Sequence, residues 1–333
     1  MSRLRVGVVG VGHLGAIHAR VYAQLPGAQL VGVCDVLRDR AGAIAEQFGT
    51  TPYTELAALL PRVDAVSIAV PTSAHHAVAK ACLAHGVHIL LEKPITQTLA
   101  QADALLRLAR RQRLTLQVGH VERFNSAFQG IAKILREPRF IECHRLGPYT
   151  LRGTDVGVVL DLMIHDIDII LWLVRSPVRR IEAVGVKILS GTEDIANARL
   201  TFANGAVANL TASRVTPETL RKIRLFQHDT YISVDYAAQA AKVFQTRGGS
   251  ITHEELPIQR EEPLKQELTA FLDAVRPRPL AAVNGKRPGV RRPFAVATSQ
   301  KAVVRLPLAV ASGDDAREAL RVALAITRKI RGS

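Results

Sequence analysis

Gly7-Val8-Val9-Gly10-Val11-Gly12-His13-Leu14-Gly15 is the stretch on which the fold turns. Val6 to Val9 is short, apolar and β-branched, as a buried parallel strand requires, and it runs directly into three glycines spaced for a tight turn and a helix start. Gly10 permits the turn, Gly12 lets a pyrophosphate approach the backbone, and Gly15 lets the helix lie against the strand. The helix opening at His13 and Leu14 offers free N–H groups and a partial positive charge to phosphate. Such glycines also occur in ordinary loops, so the second half of the pattern matters. Leu30-Val31-Gly32-Val33-Cys34 reads as another buried strand and ends on Asp35, twenty residues past Gly15. A carboxylate there suits a ribose 2′-OH and repels a 2′-phosphate, which predicts NAD rather than NADP, a preference that Arg38 softens.

Working outward, Ala65 to Val70 is a third buried strand running into Pro71-Thr72-Ser73-Ala74-His75-His76. Helical apolar spacing follows to His85, Gly86 stops it, and Val87 to Leu91 is a strand that delivers Glu92-Lys93-Pro94. Alternating strands and helices imply a doubly wound parallel sheet, whose ligands bind at the carboxyl ends of the strands, so these segments are expected to face one crevice. After about residue 120 the pattern changes. Phe140 to Leu146, Ile181 to Leu189, Ala196 to Phe202, Ala206 to Ser213, Ile223 to Gln227 and Tyr231 to Asp235 read as strands, with Asn204-Gly205 as a hairpin turn. The expected fold is α/β. A Rossmann domain takes residues 1–120, and an α+β domain with a large, mostly antiparallel open sheet takes 121–333 and closes on a helix from Asp314 to Ile330.

Between the first two strands of that second domain, Val158 to Val174 is an apolar helical stretch interrupted by Asp161, His165, Asp166 and Asp168. Asp161 and His165 are four residues apart and share a helical face, so the carboxylate is expected to orient the imidazole. Ionisable groups in apolar surroundings are costly unless paired, which points either to function or to a satisfied core histidine with a structural aspartate.

Composition agrees with a globular enzyme: 333 residues at 48% hydrophobic suffice for two cores. Cys34, Cys82 and Cys143 have no metal or disulfide spacing, which predicts a reducing cytoplasm and no metal site. The apolar run after Arg3 and Arg5 is too short and too broken for a secretion signal, and no stretch approaches the roughly 20 apolar residues that span a bilayer. The net charge is +15, and eight basic residues with no acidic ones lie between Arg276 and Arg305, among four prolines. Phe294 is the single aromatic there, thin for stacking bases, so a solvated loop is expected and no nucleic-acid partner.

The chain resembles the Gfo/Idh/MocA oxidoreductases over nearly its full length, on Gly10-Val11-Gly12-His13-Leu14-Gly15, on Pro71-Thr72 followed by His75, on Glu92-Lys93-Pro94, and on Asp161-Leu162-Met163-Ile164-His165. The resemblance implies a tightly held nicotinamide cofactor, a second-domain sheet that forms homodimers or homotetramers, and Lys93, Asp161 and His165 near the reacting carbinol. It also implies Glu92 near the nicotinamide and a cis Pro94. Oxidising a secondary alcohol needs a base within hydrogen-bond reach of the hydroxyl. His165 is the expected base, Asp161 would fix its tautomer and favour its protonated form, and Lys93 would stabilise charge on the oxygen, with the roles of Lys93 and His165 open to exchange. Val118-Gly119-His120-Val121-Glu122-Arg123-Phe124-Asn125 is similar to a bacterial subgroup like the UDP-N-acetylglucosamine 3-dehydrogenases, whose members make a 3-keto sugar nucleotide for 3-amino sugars of lipid A. Arg123, Asn125, Arg145, Tyr149 and Arg152 are then expected at a diphosphate or sugar. The alternatives are a dehydrogenase of a free polyol or sugar such as inositol or glucose, and a nicotinamide-binding regulator with a basic nucleic-acid arm.

Overall fold

The computed structural model describes residues 3–131, 134–149, 156–247, 250–276 and 310–332. The first half alternates as expected: β1 (Leu4–Val9), α1 (His13–Gln24), β2 (Ala28–Cys34), α2 (Arg38–Phe48), β3 (Thr51–Tyr53), a single turn α3 (Leu56–Leu59), β4 (Ala65–Ile68), α4 (Thr72–Ala84), β5 (His88–Glu92), α5 (Leu99–Gln112) and β6 (Leu116–Gly119). Its six strands are parallel in the order β3-β2-β1-β4-β5-β6. The order reverses between β1 and β4, so the loops after those strands open on the crevice where doubly wound sheets bind ligands.

The second half begins with a short helical turn at Val121–Phe124, then α6 (Ser126–Ile131) and β7 (Phe140–Leu146). A π-helical turn at Val159–Met163 leads into α7 (Ile164–Val174). There follow β8 (Val178–Val186), β9 (Ile195–Phe202), β10 (Val207–Ser213), β11 (Leu220–Gln227), β12 (Thr230–Asp235), β13 (Ala240–Arg247), β14 (Ser250–Glu255), α8 (Pro263–Val275) and α9 (Gly313–Gly332). The eight strands form one sheet in the order β14-β13-β12-β11-β7-β10-β9-β8, antiparallel except where β10 runs parallel to β7. Gly205 makes the β9–β10 turn at φ +84°, as the Asn-Gly pair predicts. The β13–β14 hairpin was not expected from the sequence: every residue of β14 is exposed, so burial imposes no alternating pattern on it.

The two sheets are joined by helices from the end of the chain, which return from the second half to pack on the first sheet. Leu268, Phe271 and Leu272 of α8 pack with Val6, Val8 and Tyr22 of the first domain. Helix α9 has two apolar faces. Ala316 and Leu320 join the first-domain core around Leu91 and Leu105, while Ala319, Val322, Ala323 and Ile326 join the second-domain core around α7. Among the described residues no helix is long and apolar enough to cross a membrane, and no cluster of His, Cys, Asp and Glu could hold a metal ion. Of the basic 276–305 segment only Arg276 is described, its guanidinium on Asp273 and the Gly27 carbonyl, and the remainder lies outside the described residues.

Candidate active site

The glycine loop does what its spacing predicts. Gly10 turns at φ +82°, and a Cβ there would stand 2.8 Å from the Ala69 backbone. At Gly15 a Cβ would stand 1.8 Å from the Gly10 carbonyl oxygen, so only glycine lets α1 start so close to β1. A Cβ at Gly12 would meet no protein atom within 4 Å, which leaves the backbone open to a ligand at the mouth of α1. Asp35 accepts the Val11 N–H at 3.0 Å on one oxygen and the Leu37 N–H at 3.0 Å on the other, with Arg40 3.5 Å away. The carboxylate therefore braces the glycine loop while standing at the end of β2. Beside it Val36 and Leu37 are 88% and 52% exposed, an apolar ledge that periodicity alone does not flag. These features fit a nicotinamide dinucleotide.

A cleft of about 500 Å³ runs from this loop between the domains, lined by Leu14, Pro71, Thr72, Ser73, Glu92, Lys93 and Pro94 from the first domain and Val156, Leu160 and Asp161 from the second. His13 is exposed at the start of α1, next to Leu14. His75 touches the cleft, but its ring nitrogens lie 2.8 Å from the Pro94 carbonyl and 3.0 Å from the Val70 carbonyl. It clamps the loops after β4 and β5 together at the wall of that cleft. Burial, opposed by the two carbonyls and by Glu92, holds its imidazole below the usual range. The Lys93–Pro94 peptide bond is cis.

Lys93 reaches across the domain junction. Its Nζ donates to the Asp161 carbonyl at 2.7 Å and lies 3.3 Å from the Asp161 carboxylate. Asp161 was expected to orient His165; the structure instead gives its carboxylate to a full cation, a stronger partner than a neutral ring. His165 stands on the next turn, partly exposed, and its Nδ1 has no hydrogen-bond partner among the described residues. Burial, with the positive charges of Lys93, Arg145, His120 and Arg221, holds its pKa well below the ordinary value. The ring is therefore neutral near pH 7, opposite to the protonated form expected from the sequence, and a neutral imidazole is the form that accepts a proton. Behind Lys93, Glu92 accepts from His18 at 3.1 Å. Burial raises its carboxyl, and the hydrogen bond and charge of His18 together with Lys93 outweigh that, leaving it below the usual range.

The residues expected at a diphosphate divide. Arg123 is 2% exposed with its fork on Asp168 at 2.7 and 2.6 Å, and Arg145 is 4% exposed with its fork on Asp166 at 3.0 Å twice and Glu122 at 3.2 Å. Asn125 donates to the Tyr236 carbonyl at 2.8 Å and accepts the Ala127 N–H at 3.1 Å. The direct substrate contact predicted for these three is corrected: their polar groups are spent inside the protein, where Arg145 ties α7 to β7 and Arg123 ties α7 to the turn after β6. Tyr149 is half-buried just past β7, and Arg152 lies outside the described residues. Sequence reasoning assigned nothing to His18, His120 or Glu267, because each acquires its partners or its isolation through contacts far along the chain.

Comparison with known proteins agrees with this architecture. Residues 4–120 match the model of an oxidoreductase family with an NAD-binding Rossmann fold, and residues 135–232 match the GFO/IDH/MocA C-terminal domain. The chain is 39% identical over 282 residues to UDP-N-acetylglucosamine 3-dehydrogenase of Acidithiobacillus ferrooxidans, covering 83% of this chain and 90% of that protein. It is 29% identical over 235 residues to scyllo-inositol 2-dehydrogenase (NAD(+)) of Bacillus subtilis, covering 65% of this chain and 68% of that protein. A solved structure of the Acidithiobacillus ferrooxidans enzyme superposes with a TM-score of 0.86 at 36% identity, covering 100% of this chain and 99% of that one. The chain belongs to the Gfo/Idh/MocA family of oxidoreductases, with the dinucleotide loop, the EKP turn and the Asp161–His165 helix assembled at one cleft.

Proposed function

We propose that this protein oxidises a secondary alcohol of a sugar nucleotide with NAD, most specifically the C3 hydroxyl of UDP-N-acetylglucosamine, giving the 3-keto sugar nucleotide used for 3-amino sugars of the lipid A type. The observation that carries the reaction class is the Lys93–Asp161 contact across the domain junction, beside a neutral His165 and at the end of the glycine-loop cleft. The substrate is supported by the 39% identity to the Acidithiobacillus ferrooxidans enzyme.

Bound between Gly12 and the EKP turn, NAD supplies the hydride acceptor for the carbinol carbon. The protein's own residues manage the proton. His165 accepts it from the hydroxyl, because burial and its cationic neighbours keep the ring neutral. Lys93, held by Asp161, donates a hydrogen bond to the same oxygen and stabilises its negative charge. Arg145–Asp166 and Arg123–Asp168 keep α7, and with it His165, in register with the cleft. Preference for NAD over NADP is supported by Asp35, whose charge at the β2 end repels a 2′-phosphate; Arg40, 3.5 Å from it, tempers the preference. The three free, buried cysteines are in keeping with a reducing cytoplasm. The exposed Val184 and Val186 on β8, with Ile188 and Leu189 beyond it, support pairing with a second copy through the C-terminal sheet.

The test mixes purified protein with NAD, UDP-N-acetylglucosamine, a 3-aminotransferase and glutamate, and follows the reduced nicotinamide. Reduction that is lost in both Lys93→Ala and His165→Ala is the expected result. No reduction here, with turnover of inositol or glucose instead, would replace the sugar nucleotide by a free polyol and leave the residue roles intact.

A further inference from the structure

Behind the cleft lies a second set of ionisable groups. The β5–β6 ladder pairs Leu91 with Val118 and Glu92 with Gly119, so the two strands end side by side, and Lys93 and His120 follow those ends within range of each other's charge. The fit is tight: a Cβ at Gly119 would stand 2.9 Å from the Glu92 carboxylate. His120 is 1% exposed, and among the described residues neither of its ring nitrogens has a hydrogen-bond partner. The nearest charge is Asp168, with 3.7 Å between Nδ1 and a carboxylate oxygen. An imidazole this buried costs free energy unless its nitrogens are used, and a ring with two open nitrogens beside a carboxylate is built to change protonation state.

We propose that His120 is a second proton-holding residue of the reaction, receiving by way of Lys93 the proton that His165 takes from the substrate hydroxyl, with Asp168 facing the ring that holds it. The proposal rests on the dehydrogenase assignment above. Oxidation breaks the carbinol C–H bond, whose electron pair leaves as hydride to the nicotinamide, and the O–H bond, whose electron pair completes the carbonyl. The freed proton goes to His165, Lys93 gives one of its own protons to His120, and His165 restores Lys93, so no charge is created or lost along the path.

The surroundings of His120 decide when it holds the proton. Asp168 and His165 face it from α7, Arg123 from the turn after β6, and Glu92 and Lys93 from the end of β5; His18 from α1 is hydrogen-bonded to Glu92. Burial, Arg123 and Lys93 favour the neutral ring, while Asp168 and Glu92 favour the charged one. Helix α8 packs against the turn that follows His120, and it contributes Glu267. That residue is 0% exposed, neither oxygen has a partner among the described residues, and burial with the Glu92 and Asp168 charges pushes its carboxyl well above the usual range. On balance burial holds the His120 ring below the usual range, and loss of the nicotinamide's positive charge on reduction shifts it toward taking up a proton.

The test is an imidazole ¹⁵N NMR titration of the full-length protein, with the His120 signals assigned from His120→Gln. At an effective dielectric of about 20 a unit charge about 10 Å away moves a titration by about one pH unit, so His120 is expected to titrate about one unit higher with NADH than with NAD. Rapid mixing with a pH-indicator dye gives the second arm: proton release lags behind the nicotinamide absorbance in the wild type and coincides with it in His120→Gln. Equal protonation of His120 in the NAD and NADH complexes, or release that already coincides in the wild type, would overturn the proposal. Absence of turnover with every sugar tested would instead count against the dehydrogenase assignment, and the titration still decides His120.

Discussion

Asp166→Asn separates a structural Arg145 from a substrate-binding one. Asp166 is 2% exposed and takes both arms of the Arg145 fork at 3.0 Å, as well as the Tyr236 hydroxyl at 2.7 Å. The Arg145 guanidinium also lies 5.0 Å from the centre of the Tyr236 ring. Asparagine keeps the shape and removes the charge, leaving a buried guanidinium with Glu122, at 3.2 Å, as its remaining carboxylate partner among the described residues. Breaking a buried ion pair from one side costs about 3–5 kcal/mol, which at about 1.4 °C per kcal/mol for a chain of 333 residues lowers Tm by about 4–7 °C. Trp172 is the sole tryptophan, lies on α7 with the Arg123 guanidinium 5.9 Å from the centre of its ring, and reports the melt by fluorescence. Arg145→Met combined with Asp166→Asn is expected to cost clearly less than the two single changes added together, because each single already destroys the same contact. A Tm within about 2 °C of wild type, with KM for the sugar nucleotide raised instead, would refute the reasoning and return Arg145 to the substrate.

Gly12→Ala is expected to leave Tm unchanged, since its Cβ meets no protein atom, and to weaken dinucleotide binding by about tenfold or more through lost pyrophosphate hydrogen bonds, measured by calorimetric titration. The acid limb of kcat/KM is expected below pH 6.5, because His165 is depressed and loses its base function only where it becomes protonated. Arg221→Gln removes one exposed cation that lowers His165, so it moves that limb up by roughly a few tenths of a pH unit at low salt and not at high salt. Glu267 has a raised folded pKa, so from the unfolded value of about 4.5 upward the unfolded state loses a proton that the folded state keeps, and stability falls as pH rises. Glu267→Gln is therefore expected to melt above wild type at pH 8, with the gap closing toward pH 4.5; a constant gap would show that the carboxyl is not protonated in the fold.

The dinucleotide half was legible because its constraints are local. Gly10, Gly12 and Gly15 are needed within one turn, and the strands before them are buried on both faces, so hydrophobic runs mark them. The second half was legible where strands alternate, as in β9 with its buried Ala196, Ala198, Leu200 and Phe202, and silent in β14, whose six residues are all exposed. Arginine roles failed for a different reason. A guanidinium fork suits a phosphate and a carboxylate equally, and the carboxylates that claimed Arg123 and Arg145 are 45 and 21 residues away in the sequence. Asp161 failed in the same way: helical spacing offered His165 as its partner, but only the domain junction brings Lys93 within 3.3 Å.

That junction also explains why the chemistry belongs to neither half alone. Lys93 is carried by the end of a first-domain strand and Asp161 by the π-helical turn that starts α7, so their contact exists only when the domains hold a fixed relation. The relation is enforced by α9, whose Ala316 and Leu320 sit in one core while Ala319, Val322, Ala323 and Ile326 sit in the other. A polar substitution at Ile326, which is 0% exposed, should therefore lower kcat as well as Tm, because it loosens the second domain's hold on α9 and with it the Lys93–Asp161 distance. The comparison that isolates this effect is Leu272→Ala on α8, which empties a cavity in the first-domain core at a cost of about 2–5 kcal/mol. If Ile326→Thr and Leu272→Ala variants matched in Tm also matched in kcat, α9 would be packing only, and the catalytic geometry would have to be set by the Lys93–Asp161 contact itself.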